Sequence, residues 1–173
     1  MNLRSLPVRV LMIALLLVPA TAQQFPRLQE ENLAGQQVVL PDAASGKVAV
    51  LVIGFTHASQ KPCEAWAKRL LQDFGSNPAA VAFQLAVIED APRFIRGMIT
   101  SGMKKGLPEN QRGTFIPVMH EEAALKTLVG YKAADDAYIV VLDRGGKVVY
   151  QTHSAAPDAG YSELRAKLAG LLN

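Results

Sequence analysis

Residues 47–70 read KVAVLVIGFTHASQKPCEAWAKRL. The stretch begins with the apolar run Val48 to Ile53, which is rich in valine and has no polar position, as is typical of a strand covered on both faces. A short polar loop follows Gly54-Phe55, and a helical pattern opens at Lys61-Pro62-Cys63, where the proline suits a first helical turn. The stretch therefore predicts a central strand, a loop, and a helix whose first turn holds the only cysteine of the chain.

The predicted helix continues from Pro62 to about Phe74, because apolar residues recur at helical spacing: Ala65, Trp66, Leu70 and Phe74. Residues 75–78, GSNP, are a helix-ending sequence. Val81 to Ile88 then has the pattern of a second buried strand. The unit is predicted to be strand–helix–strand with a right-handed crossover.

The segments around this unit have weaker patterns. Upstream, Gln37 to Leu40 predicts a short strand. Downstream, Glu89 to Pro92 resembles a helix start, and four apolar residues then share one helix face: Phe94, Ile95, Met98 and Ile99. Residues 102–113 are rich in glycine, proline and lysine, which predicts a surface loop or a frayed helix end.

The C-terminal third has clear signals. Phe115 to Met119 predicts a short extended piece, and Glu121 to Val129 a helix with Gly130 as its C-cap. The other predicted elements are a β-hairpin, whose strands Tyr138–Leu142 and Lys147–Gln151 flank the turn sequence DRGG, and a closing amphipathic helix from Tyr161 to Leu172.

The N-terminus has the three parts of a signal peptide. Arg4 and Arg9 supply positive charge, Val10 to Pro19 is apolar, and Ala20-Thr21-Ala22 is a small-x-small cleavage pattern. A retained membrane anchor is the alternative, although the run is shorter than the roughly 20 apolar residues that span a bilayer. We expect a signal peptide over residues 1–22 cleaved near Ala22, a lead-in over 23–36, and one domain over 37–173, exported to the periplasm or secreted.

Charge and cysteine content exclude several classes of protein. Without Arg4 and Arg9, 16 basic side chains face 15 acidic ones, and they are scattered with few aromatic neighbours, so no nucleic-acid partner is expected. A single cysteine cannot form an internal disulfide, so any disulfide chemistry has to be intermolecular.

The order of elements, a strand–helix–strand unit followed by a hairpin and a terminal helix, resembles the thioredoxin-like superfamily. The chain is similar to exported thiol-disulfide interchange and redoxin-type proteins over roughly Gln37 to Leu172. The likeness is most specific in VLVIGFTHASQKPCEAW, in AYIVVLDRGGKVVYQ and in the closing leucine-rich helix. It implies an α/β fold with a central mixed sheet flanked by helices, ending in the β-hairpin and closing helix.

The resemblance also implies that the redox site is degenerate. The family uses two cysteines separated by two residues, and here Gln60 takes the place of the attacking one, while Cys63 matches the second. The family's cis-proline before the hairpin corresponds to Ala137. The residues that remain in the degenerate site loop are Thr56, His57, Ser59, Gln60, Lys61 and Pro62.

Cys63 has two interpretations. It is either a small buried residue of a core helix, or a reactive single thiol whose thiolate is favoured by the helix N-terminus and by Lys61. Ser59 is expected to cap the helix through its hydroxyl, worth about 1 kcal/mol. Trp66 is expected to pack in the core.

Three related functions that occur on the same fold are alternatives. A one-cysteine peroxidase at Cys63 lacks the family's threonine three residues earlier, because Thr56 lies seven before it. Thr56-His57 is similar to the loop of copper-delivery proteins, but one cysteine is a poor ligand set for Cu(I), so no metal and no cofactor are expected. Residues 102–138 are similar in plan to mitochondrial ATP-synthase assembly factors, which also work without the dithiol.

Two hypotheses follow. The first is an exported thioredoxin-like protein with at most single-thiol redox activity at Cys63. The second is a non-catalytic binding or assembly module that uses the loops 55–62 and 98–113 to hold another protein. In either case, the expected partner is another exported or membrane protein, and no transmembrane segment is expected after cleavage.

Overall fold

A computed structural model describes residues 23–173; the predicted signal peptide lies outside the described residues. Seven strands and four α-helices follow one another along this part of the chain. The strands are β1 Leu28–Glu31, β2 Gln37–Leu40, β3 Val48–Gly54, β4 Ala80–Val87, β5 Phe115–Val118, β6 Ala137–Leu142 and β7 Val148–Ser154. The helices are α1 Gln60–Phe74, α2 Arg93–Gly106, α3 Glu122–Val129 and α4 Tyr161–Leu172.

The central sheet is mixed and has the strand order β5-β4-β3-β6-β7. β3 lies in the middle and is buried at all seven positions, as its valine-rich sequence predicts. It pairs in parallel with β4 and antiparallel with β6, and β6 pairs antiparallel with β7. The predicted strand–helix–strand unit, the hairpin and the closing helix are therefore confirmed, and the fold is the expected thioredoxin-like α/β fold.

Helices cover both faces of this sheet. On one face, α1 and α4 pack together, with the Trp66 and Tyr161 rings 5.9 Å apart, and the Tyr161 hydroxyl donates to the carbonyl of Arg69. On the other face, α3 contributes Leu125 and Leu128 to the larger core cluster, which β1 and β2 also cover. Gly130 ends α3 with a positive φ of 58°, as its predicted C-cap role requires.

The lead-in over residues 23–36 contains a strand that the sequence did not predict. β1 pairs antiparallel with β2, and its sequence LQEE hides the alternation because the inward position after Leu28 is Glu30. The buried Glu30 carboxylate accepts hydrogen bonds from the backbone N–H groups of Met119 and His120, at 2.8 and 2.9 Å. Glu30 can therefore face the core, because its carboxylate accepts hydrogen bonds from backbone groups that lie 89 and 90 residues further along the chain.

α2 is longer than predicted. It continues through Gly102 to Gly106. The expectation of a loop or frayed helix end from residue 102 onward is therefore wrong for residues 102–106. Met103 stays half-buried on the sheet side, and Lys104 and Lys105 lie in the last turn, where cations interact favourably with the helix dipole. The irregular segment is confined to Leu107-Pro108 and the 3₁₀ turns of Glu109–Thr114.

Replacing Glu30 with alanine tests the role of the buried carboxylate. Glu30→Ala leaves two backbone N–H groups without an acceptor, and we expect it to lower the free energy of unfolding by about 2–3 kcal/mol in urea denaturation. Glu30→Gln, which keeps one carbonyl acceptor, should recover part of this loss. Glu31→Ala, on the exposed neighbour, should change it by less than about 0.5 kcal/mol. Equal losses at the two positions would contradict this role.

Candidate functional site

The candidate site lies where β3 ends and α1 begins. The intervening loop turns through a short 3₁₀ segment, His57–Ser59, and the exposed Thr56 lies at its start. The Thr56 hydroxyl donates to the carbonyl of Ala134 at 2.5 Å, which ties this loop to the one that precedes β6. The loop before α1 and the loop before β6 are therefore adjacent. By resemblance, these correspond to the two loops that form the active site in thioredoxin-like enzymes.

Ser59 is not the helix cap that the sequence predicted. Its hydroxyl donates back to the Thr56 carbonyl at 2.8 Å and accepts from the Thr56 N–H, while the Ser59 N–H donates to the Thr56 hydroxyl. This reciprocal box stabilises the 3₁₀ turn rather than α1, which has no side-chain cap. The box fixes the buried Ser59 hydroxyl beside Cys63.

The Cys63 thiol packs against the end of β3. A Cβ atom built on Gly54 would lie 2.9 Å from Cys63 Sγ and 2.8 Å from Ser59 Oγ, so only glycine leaves room for both. Cys63 as a whole is half-buried, and it also lines the cavity described below. This burial raises the pKa of the Cys63 thiol to about 12, against a lowering by the Ser59 hydroxyl and a further rise from the Glu64 carboxylate. Desolvation is the largest influence on this pKa, and it acts against the thiolate that the helix N-terminus and Lys61 are expected to favour.

The other loop residues do not supply a nucleophile. Gln60 is exposed and donates from Nε2 to the Glu64 carboxylate at 2.9 Å. His57 and Lys61 are exposed, and Pro62 is half-buried in the first turn of α1, as predicted. Within residues 23–173, no group of three or more histidine, cysteine or acidic side chains is arranged to hold a metal ion.

Ala137 is the first residue of β6 and is fully buried. Over the described part of the chain, the only cis peptide precedes Pro41, so the loop before β6 reaches Ala137 through trans peptides. Tyr138 organises this loop, because its hydroxyl accepts from the N–H groups of Lys132 and Ala133 at 2.8 Å. The position that the resemblance assigns to the family's cis-proline therefore holds a buried core residue.

Sequence reasoning missed a polar pair beside this loop. His153 Nδ1 lies 2.5 Å from the Asp136 carboxylate, and the His153 ring stacks on Tyr138 with centroids 5.2 Å apart. The pairing of β6 with β7, which places Tyr138 opposite His153, was the signal that could have found it. The contact positions the loop and brings no histidine near Cys63.

A groove opens between α1 and α2 in this region. A cavity of about 370 Å³ lies beside Cys63, and a second of about 290 Å³ adjoins it and shares Val52, Glu64, Gln84 and Leu107 as lining residues. We call this pair of cavities the α1–α2 groove. Its floor is one face of β4, where Ala82, Gln84 and Ala86 are only half-buried.

The groove exists because the rest of the protein fully covers only one face of β4. Phe83, Leu85 and Val87 point to the opposite face and are buried in the main core. On the groove side, two of the three central residues are alanines, so little apolar surface there needs covering. The alternation of small and large residues in AVAFQLAV was the sequence signal for this half-covered strand, whereas the sequence analysis predicted only a second buried strand.

Residues 19–171 match the family model described as ATP10 protein. The chain belongs to the ATP10 protein family. The match covers Cys63, the loop before β6 and both helices of the groove. None of the curated proteins compared with the chain is similar enough to count as a relative.

Solved structures similar to this ATP10 family member share its fold at low sequence identity. The thioredoxin domain of a thiol-disulfide oxidoreductase from Bacteroides vulgatus is 16% identical, with a TM-score of 0.58, over 85% of this chain and 96% of that one. A SCO1/SenC family lipoprotein from Bacillus anthracis is 12% identical, with a TM-score of 0.58, over 88% and 97%. A peroxiredoxin-like protein from Aquifex aeolicus is 16% identical, with a TM-score of 0.56, over 87% and 86%. These likenesses establish the thioredoxin-like fold alone.

The raised pKa of Cys63 predicts slow labelling of the folded protein. A rise from the ordinary value of 9.0 to about 12 lowers the thiolate fraction near neutral pH about 1000-fold. We expect iodoacetamide to react with native Cys63 at least that much more slowly than with free cysteine, and denaturant to remove the difference. The native rate should still be rising at pH 10, where free cysteine has levelled off. If the folded protein were labelled as fast as free cysteine, the burial and raised pKa of the Cys63 thiol would be contradicted.

The tight packing at Gly54 predicts an intolerance to any side chain there. Gly54→Ala forces Ser59 and Cys63 to move, and we expect it to lower the free energy of unfolding by about 1–3 kcal/mol. Gly170→Ala is the matched control, because a Cβ on this helical glycine meets nothing within 4 Å. The control should raise stability by about 0.5–1 kcal/mol. Stabilisation by both changes in thermal or urea unfolding would refute the packing argument.

Proposed function

We propose that this ATP10 family member is a non-redox binding module that holds an apolar segment of another polypeptide in the α1–α2 groove while a membrane complex assembles. The observation that carries the proposal is an open groove beside a thiol that packs against Gly54 and is largely desolvated. Burial disfavours the reactive thiolate, and the groove next to it is open.

The chemistry of the thiol argues against a redox role. Gln60 has no sulfur, and Ala137 is buried in the core instead of facing a substrate. The pKa of Cys63, at about 12, keeps the thiol protonated at any physiological pH, so it is a poor nucleophile. The alternatives of single-thiol redox activity, a one-cysteine peroxidase or copper handling each need a reactive sulfur at this position.

The dimensions of the groove support binding. Ligand sites in proteins usually measure about 300–1,000 Å³, and the cavity beside Cys63 falls in this range before the adjoining one is added. The lining is mostly apolar, with the Glu64 and Lys68 side chains of α1 at one rim. Leu71, on the same helix, is 55% exposed where it borders the groove. An elongated apolar groove with a polar rim suits a polypeptide segment.

The family and the N-terminal sequence indicate what kind of partner to expect. The family model carries the ATP-synthase label in its name, which supports a subunit of that membrane complex as the partner. The signal-peptide pattern over residues 1–22 supports an exported location, where the partner is another exported or membrane protein.

Filling the groove should abolish this function without touching the thiol. We expect cells that carry Ala86→Leu together with Ala82→Leu to lose assembled ATP synthase on native gels, because leucine side chains on β4 occupy the groove. Cells that carry Cys63→Ser should keep the wild-type amount. Ala123→Leu, the same substitution at an exposed position of α3, is the matched control.

A photocrosslink identifies the partner directly. Benzoylphenylalanine at position 71, on the groove rim, should give an adduct with one subunit of the complex, and the same group at position 123 should not. The adduct should disappear when Ala86→Leu is added and persist with Cys63→Ser. Loss of assembly in Cys63→Ser, with the groove-filled variant still active, would refute the binding role and favour single-thiol chemistry.

A further inference from the structure

We propose that the outward face of α2 docks on the surface of an anionic lipid bilayer. The two most exposed large apolar side chains in the described part of the chain, Phe94 and Met98, lie on this helix and are 88% and 70% exposed. They are one helical turn apart, so they project side by side from the same face. This surface is separate from the floor of the groove, and the proposal does not depend on partner binding.

The two faces of α2 differ in what they contact. Ile95, Ile99 and Met103 follow at intervals of four residues and are half-buried toward the body of the protein. The outward stripe contains Phe94, Met98, Ser101 and Lys105, with the glycines Gly97 and Gly102 beside it. The small residues leave the two apolar side chains standing clear of the helix surface. No residue of α2 is fully buried.

The charged side chains of α2 itself are all positive. The helix sequence RFIRGMITSGMKKG contains four basic residues and no acidic one. Arg96 is used internally, because its guanidinium donates to the backbone carbonyls of Ala91 and Glu89. The remaining three, Arg93, Lys104 and Lys105, are exposed, and none of them forms an ion pair with any residue from 23 to 173.

This combination matches a lipid surface better than a protein surface. Cores of protein–protein interfaces are depleted in lysine, whereas here cations lie at both ends of the apolar pair. On a bilayer, Phe94 and Met98 enter the boundary between headgroups and acyl chains, and the long basic side chains reach the phosphates. A helix of 14 residues is about 21 Å long, which suits lying in the interface. Within residues 23–173, no helix is long and apolar enough to cross a membrane.

The test measures binding of the full chain to vesicles by sedimentation, with phosphatidylcholine alone or mixed with phosphatidylglycerol. We expect tighter binding to the anionic vesicles. Arg93→Gln with Lys104→Gln and Lys105→Gln should weaken it about 100-fold. Phe94→Ser with Met98→Ser should weaken it at least about tenfold. The matched control changes three exposed, unpaired lysines elsewhere to glutamine: Lys47, Lys147 and Lys167. Every chain keeps the same apolar N-terminal run, so any contribution from that run is constant.

A second measurement places the contact on α2 itself. Phe94→Trp adds an indole at the outward face, while the native Trp66 is fully buried. Its fluorescence should shift to the blue with anionic vesicles and be quenched by brominated phospholipid in them. Three results overturn the proposal: equal loss of binding in the α2 and control variants, an unquenched indole, or a concentration-dependent dimer that Phe94→Ser abolishes. Vesicle binding independent of α2, with partner crosslinking that needs Phe94, would assign the face to a protein.

Discussion

The close approach of α1 to the end of β3 constrains the whole candidate site. Gly54 offers no side chain, and Ser59 Oγ and Cys63 Sγ occupy the space where one would lie. Neither partner can withdraw easily. β3 is the fully buried centre of the sheet, and Trp66 and Leu70 hold α1 against the core. The first turn of the helix is therefore pressed onto the strand, and the sulfur has little access to water.

This packing changes the usual effect of a helix N-terminus on a cysteine. The helix dipole stabilises a thiolate, but desolvation disfavours any charged form, and for Cys63 desolvation is the larger effect. In a two-cysteine site, the exposed first sulfur is the one that gains from the dipole. Here that position is Gln60, which pairs with Glu64 in solvent, and the sulfur that remains is the inward one. By resemblance, a glutamine thus stands where the attacking cysteine would be, and the thiol that is present packs against Gly54.

Elements formed by local patterns could be predicted from the sequence, and elements formed by distant contacts could not. β3, α1, the β6–β7 hairpin and α4 follow from runs of apolar residues at a single period. Glu30 could not be read as a core-facing residue, because its acceptors are used by backbone groups at residues 119 and 120. The box of Thr56 and Ser59 was likewise hidden, since a serine before a helix has several possible acceptors and donors.

The groove is the clearest case in which the sequence held the signal and its meaning depended on the fold. A strand with large residues on one side and small ones on the other is stable when only the large side is buried, because each large aliphatic side chain contributes about 1.5–3 kcal/mol and an alanine much less. β4 has this composition, so the sheet loses little by leaving Ala82 and Ala86 half-covered. α2 therefore does not have to pack tightly over β4. The space between α2 and the sheet is the open groove, and the side of α2 that faces away from the sheet is apolar and basic. One feature of strand composition therefore accounts for both of the surfaces that we propose as binding sites.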